Sequence, residues 1–311
     1  MSRPPLVTGG TGFAGSHLIE LLLERHPAVH AWSNPTGRSA PDGDPRVHWR
    51  AVDLLDREAI AREIARVRPS AVYHCGGVAD VGGSWTRPAL ALQVNTMGTC
   101  YVLDAVRRAV LDCRVLVTGS ALVYRPSREA LTEDSAIGPT SPYGLSKLAQ
   151  EMMTTRAAAQ AAIVARPFNH AGPRQSDAYV TSSFARQIAE AEAGLREPVL
   201  HVGNLESRRD ITDVRDTVQA YVLLVERGQP ERPYNVCSGR AYVVKDLLDL
   251  LVGMSPAALR LQSDPDRMRP SDNPIVLGNN SRIRQDAGWA PAIPIEQTLA
   301  DLLDYWRLKV A

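Results

Sequence analysis

The sequence predicts a doubly wound α/β fold, one parallel sheet with helices on both faces, followed by a smaller C-terminal substrate lobe. Two patterns point to it. Up to Pro167, apolar runs of strand length alternate with amphipathic segments of helical period, the order expected of consecutive βαβ units. A glycine-rich turn, Gly9 to Gly15, joins the first strand pattern to the first helical one, where such a fold needs a tight turn. The size agrees: 311 residues, 44% of them hydrophobic, suffice for one large sheet domain and an appendage.

Strands are expected at 6–8, 29–33, 47–52, 71–75, 115–118 and 163–167. Helical patterns fill 17–24, 57–67, 98–109 and 147–159, and the stretch 34–45, rich in Pro, Gly, Asp and Ser, reads as a loop. Right-handed crossovers then place a ligand over the carboxyl ends of the strands. Beyond Pro167 the pattern loosens. Residues 169–212 hold one helical stretch, 182–193, between loops. A helix at 213–226 and a strand at 234–237 look like a return to the sheet, and residues 240–311 carry short helices and two Pro-rich loops. The expected division is 1–168 plus 213–239 for the sheet domain, and 169–212 plus 240–311 for the lobe.

Lys and Arg number 35 against 34 for Asp and Glu, a formal net charge of +1. No global field draws the chain to nucleic acid or an anionic membrane, so an anionic ligand must meet local cations. Cys75, Cys100, Cys113 and Cys237 are scattered without C-x-x-C spacing. That argues against a metal site, a redox pair or a disulfide scaffold and for buried apolar cysteines. The N-terminus lacks an apolar run flanked by basic residues and a cleavage site, so no signal peptide is expected. The apolar stretches are too short to span a bilayer. The expectations are a cytoplasmic protein with no metal, no membrane association and no nucleic-acid partner.

In the turn GGTGFAG, Gly9, Gly12 and Gly15 allow a sharp bend and close approach of backbone to a pyrophosphate. Phe13 and Ala14 then open a helix whose unpaired N–H groups and dipole favour an anion. This is a dinucleotide site, with a plain strand–helix turn as the alternative. The second strand ends Trp32-Ser-Asn-Pro-Thr-Gly-Arg38, without the acid that would bond the ribose 2′-hydroxyl of NAD. Arg38 can hold a 2′-phosphate instead, which favours NADP over NAD, although a solvated loop arginine fits as well. Asp53–Leu54 ends the third strand, where an acid either bonds the adenine amino group or caps the next helix.

Tyr143-Gly-Leu-Ser-Lys147 places a phenol and an ammonium on one helix face. A neighbouring ammonium lowers a phenol's pKa, and the same lysine can hold a nicotinamide ribose. Ser120 ends a strand upstream and can bond the same substrate oxygen. Together these features resemble the extended short-chain dehydrogenase/reductase family along essentially the whole chain. The resemblance implies a Rossmann domain and a catalytic set Ser120, Tyr143 and Lys147. It also places Gly76 of HCGG and Asn95 of QVNTMGT near the cofactor and the active-site helix; a strand-end turn and a helix cap or kink are the bland readings.

The strings RPFNHAGPRQ (166–175), SFARQIAEAE (183–192), VGNLESRRDITDVRD (202–216), YNVCSG (234–239) and DRMRPSD (266–272) resemble the GDP-sugar branch. They are most like its GDP-4-keto-6-deoxy-D-mannose reductases and GDP-mannose 4,6-dehydratases. The resemblance implies that Asn169, Arg186, Asn204, Arg209 and Arg269 contact the GDP part, with Asp272 near its ribose and Val180 and Leu205 flanking the base. A diphosphate does need fixed cations, and arginine offers forked donors. A surface ion pair is the alternative for each arginine alone, and Arg209 and Arg269 are the two best candidates. A homodimer through the helices near 98–109 and 143–160 is likewise implied.

Dehydratases of this family carry a glutamate two residues before a strand-end tyrosine, where it removes a sugar proton. Here Leu122 precedes Tyr124 at that spacing. Leucine accepts no proton, so the expected reaction is reduction of the C4 ketone of GDP-4-keto-6-deoxy-D-mannose with NADPH, giving GDP-D-rhamnose. The alternatives are a nucleotide-sugar 4,6-dehydratase or C4-epimerase, and a catalytically silent NADP sensor. The last usually loses the Tyr–Lys pair that this chain keeps. Arg125 replaces the glycine expected after the tyrosine.

Overall fold

In the computed structural model, residues 3–41, 43–109, 112–156, 162–230, 232–267 and 273–311 are described. Seven parallel strands form the central sheet: β1 (Leu6–Thr8), β2 (Val29–Ser33), β3 (Val47–Ala51), β4 (Ala71–His74), β5 (Arg114–Thr118), β6 (Ala162–Pro167) and a returning strand, Pro233–Val236. The spatial order is returning strand, β6, β5, β4, β1, β2, β3. The order reverses at β1, which lies between β4 and β2. That switch point opens a crevice over the strand ends, the usual ligand position in such sheets.

Burial on both faces explains why the strands other than β3 read as apolar runs, whereas β3, at the sheet edge, is half-exposed. One face packs Leu18, Ile19 and Leu22 of helix Phe13–Leu23 beside Val218, Tyr221 and Leu224 of helix Val214–Arg227. The other packs Ile60 and Ile64 of helix Arg57–Val67 against Val102 and Val106 of helix Thr99–Arg108. Fully burying one such side chain contributes roughly 1.5–3 kcal/mol.

The lobe is more regular than the sequence predicts. Strand Arg208–Asp213 pairs with Asn169–Ala171, Ala241–Val243 and Ile275–Val276, and Val199–Val202 pairs with Arg260–Ser263. Its core joins three helices, Val180–Glu192, Val244–Gly253 and Ile295–Val310, through Phe184, Ile188, Leu247, Leu251, Leu299, Leu303 and Trp306. The last helix has 16 residues and corrects the expectation of short helices only. Three others start earlier than expected: the first at Phe13, the lobe helix expected from 182 at Val180, and the helix carrying Tyr143 at Pro142, running to Arg156. The expected end of the latter, 157–159, lies outside the described residues. No helix among the described residues is long and apolar enough to cross a membrane.

Candidate active site

The glycine turn is built by sterics. Gly9 has φ +67°, and a Cβ there would lie 2.7 Å from the Cα of Gly76 in the loop after β4. A Cβ at Gly15 would collide with the Gly9 carbonyl oxygen. Only glycine allows strand, helix and neighbouring loop to approach this closely. Gly12 caps helix Phe13–Leu23 without a side-chain bond, and its first turn carries no acid. The N–H groups of Phe13, Ala14 and Gly15 therefore keep their positive end for an anion.

Below this turn a buried chain of hydrogen bonds fixes the loop after β4. Thr99 Oγ1 donates to the Asn95 carbonyl (2.7 Å), so its contact with His74 Nε2 (2.9 Å) needs the proton on the ring. Burial, helped by the Lys147 charge, pushes the His74 pKa down to about 3. The ring is therefore neutral and its Nδ1 accepts from Thr8 Oγ1 (2.8 Å). Thr8 Oγ1 in turn accepts from the Gly76 N–H (3.0 Å). One proton arrangement satisfies the whole row, and it ties Gly76 to β1.

Asn95 sits in a π-helical turn, Gln93–Gly98, fully buried. Its amide donates to the Val78 carbonyl (3.1 Å) and Ser146 Oγ (2.9 Å) and accepts from the Val78 N–H (2.8 Å). Both N–H donors are used by protein, so the geometry gives Asn95 a positioning part. It joins the loop after β4 to the helix Pro142–Arg156. The π turn widens the backbone locally where Asn95 reaches across to its partners.

Ser120 lies two residues beyond the end of β5 and caps the short turn Ala121–Val123, Tyr143 sits in the first turn of the helix Pro142–Arg156, and the phenol hydrogen-bonds Ser120. Burial holds the phenol above its ordinary value, and the Ser120 bond pulls the other way. Lys147 lies one turn further along. Its Nζ donates to the Thr118 carbonyl (2.9 Å) and stands 5.9 Å from the Tyr143 ring centre. Burial lowers the Lys147 pKa to about 8. Ser84, missed in the sequence, accepts from the Tyr143 backbone N–H (3.2 Å) and donates to the Val81 carbonyl (2.7 Å). Tyr179 is a second missed neighbour: its hydroxyl donates to the Ala79 carbonyl (3.3 Å), and its proximity raises the Tyr143 pKa. Neither residue carries a sequence signal of its own.

Leu122 follows Ser120 in a short turn, its N–H bonded to Ser120 Oγ (3.1 Å). Tyr124 is buried in a hydrogen-bond network. Its hydroxyl donates to Asn235 Oδ1 (2.6 Å) and accepts from Arg166 (2.7 Å), which also pairs with buried Glu151 on the helix of Lys147. The network anchors that helix to β6. Arg125 is exposed, and its backbone N–H reaches the Ala136 carbonyl (2.9 Å).

The outer candidates divide. Arg38 is exposed, with no protein partner among the described residues. Asp56, rather than Asp53, caps helix Arg57–Val67, which leaves Asp53 exposed, its Oδ1 accepting among the described residues from the Leu55 N–H. Leu54 packs on Gly76 and Gly98. Asn169 and Arg209 stand on paired strands of the lobe, Asn169 exposed and Arg209 half-buried, its guanidinium donating to the Arg208 carbonyl (2.8 Å). Val180 opens its helix and is exposed. Arg186 is already matched by Asp177 and Glu190, the plain ion pair that was its alternative. Asn204 accepts from the Glu206 N–H (2.9 Å) in a turn, and Leu205 is half-buried, with part of its side chain against the lobe core. Arg269 and Asp272 lie outside the described residues.

The chain as a whole resembles known proteins. The family model for GDP-mannose 4,6-dehydratase matches residues 6–302. The chain belongs to that family. It is 33% identical to GDP-6-deoxy-D-mannose reductase from Pseudomonas aeruginosa, over 100% of this chain and 99% of that one. Identity to a GDP-mannose 4,6-dehydratase from Yersinia enterocolitica is 25%, covering 97% and 93%. The structure of RMD from Pseudomonas aeruginosa complexed with NADPH superposes with a TM-score of 0.88 at 32% identity, covering 99% and 100%. A UDP-glucose 4-epimerase with UDP-glucose from Thermotoga maritima gives 0.90 at 25% identity, covering 99% and 100%. The Rossmann-type sheet and appended lobe are therefore those of the short-chain dehydrogenase/reductase enzymes, as expected from the motifs.

Proposed function

We propose that the protein reduces the C4 ketone of GDP-4-keto-6-deoxy-D-mannose with NADPH, giving a GDP-6-deoxyhexose, GDP-D-rhamnose in our reading. The observation that carries the reading is the joint presence of Ser120, Tyr143 and Lys147 and of Leu122 where a proton-removing base would stand, in a chain with full-length likeness to a GDP-6-deoxy-D-mannose reductase.

The residues fit the cofactor. The bare first turn at Phe13–Gly15 suits a pyrophosphate, and Asp53 is open toward an adenine amino group. Arg38 is available to a 2′-phosphate, which favours NADP, with NAD possible in its place. Lys147 uses one of its three N–H groups on Thr118, leaving donors for ribose hydroxyls. NADPH, when bound, supplies the hydride to C4. Ser120 holds the ketone oxygen, and the Tyr143 phenol gives that oxygen its proton. Lys147 keeps its charge beside the phenolate that results and so lowers the cost of the transfer. Residues 169–212 and 240–311 form the lobe that receives the GDP part, with Asn169, Arg209 and Arg269 as its polar contacts.

The protein is read as a cytoplasmic homodimer. Met97, Leu145, Met152 and Met153 leave apolar surface exposed on the segments implied by the resemblance. Leu145→Glu is expected to shift the light-scattering mass to that of one chain; an unchanged mass would sink this interface.

The activity is tested by NADPH absorbance with GDP-4-keto-6-deoxy-D-mannose beside GDP-mannose alone. Loss of absorbance with the keto sugar only is expected, and NMR of the product reads the configuration at C4. Formation of a keto sugar from GDP-mannose without NADPH loss would replace this reading by the dehydratase.

A further inference from the structure

Helix Phe13–Leu23 presents Phe13, His17 and Glu20 at i, i+4 and i+7, a single face. The segment 170–174, leaving β6 for the lobe, engages all three. The Phe13 and His170 rings stack with centres 5.5 Å apart and planes 6° apart. His17 Nε2 lies 2.8 Å from the Pro173 carbonyl oxygen and donates to it. Arg174 holds Glu20 with two bonds of 2.5 and 2.7 Å.

Arg174 does this from φ +73°, a region that non-glycine residues enter at a cost. The other described non-glycine residue there, Arg68, simply closes helix Arg57–Val67. Arg174 ends no helix, so its backbone is held by its surroundings, the Glu20 bonds among them. The same segment continues as strand Asn169–Ala171, with His170 opposite Thr212 on the strand that carries Arg209. One short stretch thus joins the helix end that faces a pyrophosphate to the strand pair carrying the substrate candidates.

We propose that Arg174 is a positioning residue that couples the two ligand sites: with Glu20 it seats the lobe on the dinucleotide helix, so that each ligand strengthens binding of the other. This rests on the reading of an NADPH site beside a GDP-sugar site. The coupling is reciprocal by thermodynamic necessity.

The test is calorimetric titration of GDP into the whole protein, with and without saturating NADP⁺. In the unaltered protein GDP is expected to bind about fivefold tighter with NADP⁺ present, the low end of ordinary coupling. Glu20→Gln and Arg174→Gln are expected to bring that ratio to about one, with GDP affinity in the absence of NADP⁺ unchanged. Their thermal midpoints should hold, because an exposed ion pair adds little stability. Equal GDP affinity in both conditions for the unaltered protein, or a ratio that survives both substitutions, overturns the coupling alone. No GDP binding in either condition overturns the nucleotide-sugar reading and the coupling with it.

Discussion

Tyr143→Phe is expected to lower kcat about 10²- to 10⁴-fold, the usual worth of one positioned proton donor. Binding of NADP⁺ and GDP should be nearly unchanged. The ring is 8% exposed and packed, so phenylalanine fills the same space and removes only the hydroxyl bonded to Ser120. The groups proposed for GDP and the cofactor lie elsewhere, on Arg209, Asn169 and the turn at Phe13–Gly15. A loss confined to kcat therefore marks a group used only in the chemical step. Single-turnover measurement with the keto sugar and NADPH reads this directly, and a rate within tenfold of the unaltered protein would remove Tyr143 from the mechanism.

The central sheet was legible because its strands, apart from edge strand β3, are buried on both faces. β1 and β2 agree with the sequence reading, and β3 to β6 differ by a residue at one end. Helix starts were less legible where small residues hide the period, as at Gly12–Gly15 and at Ser141–Gly144. The lobe sheet was invisible because its strands are short and paired with distant segments; Asn169–Ala171 exists as a strand only beside Ile211–Asp213. The long helix Ile295–Val310 did have a signal, apolar residues at 295, 299, 302, 303 and 306, masked by the prolines before it. Within the site, Ser120, Tyr143 and Lys147 were named by spacing and meet in space. Arg186 shows the opposite limit. A sequence displays its charge, but not the Asp177 and Glu190 that neutralise it. Ser84 and Tyr179 touch the Tyr143 region through backbone carbonyls and N–H groups, which no residue pattern announces.

Lys147→Met should give a more stable and nearly inactive protein. Lys147 is 5% exposed, and burial lowers its pKa from 10.5 to about 8. Below pH 8 it is charged in both folded and unfolded states, and the fold carries the full cost of that buried charge. The displacement corresponds to on the order of 3 kcal/mol at pH 7, at 1.36 kcal/mol per pKa unit. Between pH 8 and 10.5 the unfolded chain holds the extra proton, so stability rises with pH across that window. Methionine keeps most of the apolar stem and removes the charge, so the denaturation midpoint at pH 7 should rise. The gain in stability across pH 8–10.5 seen in the unaltered protein should then disappear. Activity follows the opposite sign. In the proposed mechanism the charge supports the Tyr143 phenolate, so kcat/KM of the unaltered protein should fall as pH rises past about 8 and the ammonium is lost. A site that stores an unfavourable charge for use in the reaction behaves this way, stability being given up where function needs it. A Lys147→Met protein less stable than the original at pH 7 would mean that the Thr118 carbonyl bond outweighs the burial cost, and the charge-storage account would fail.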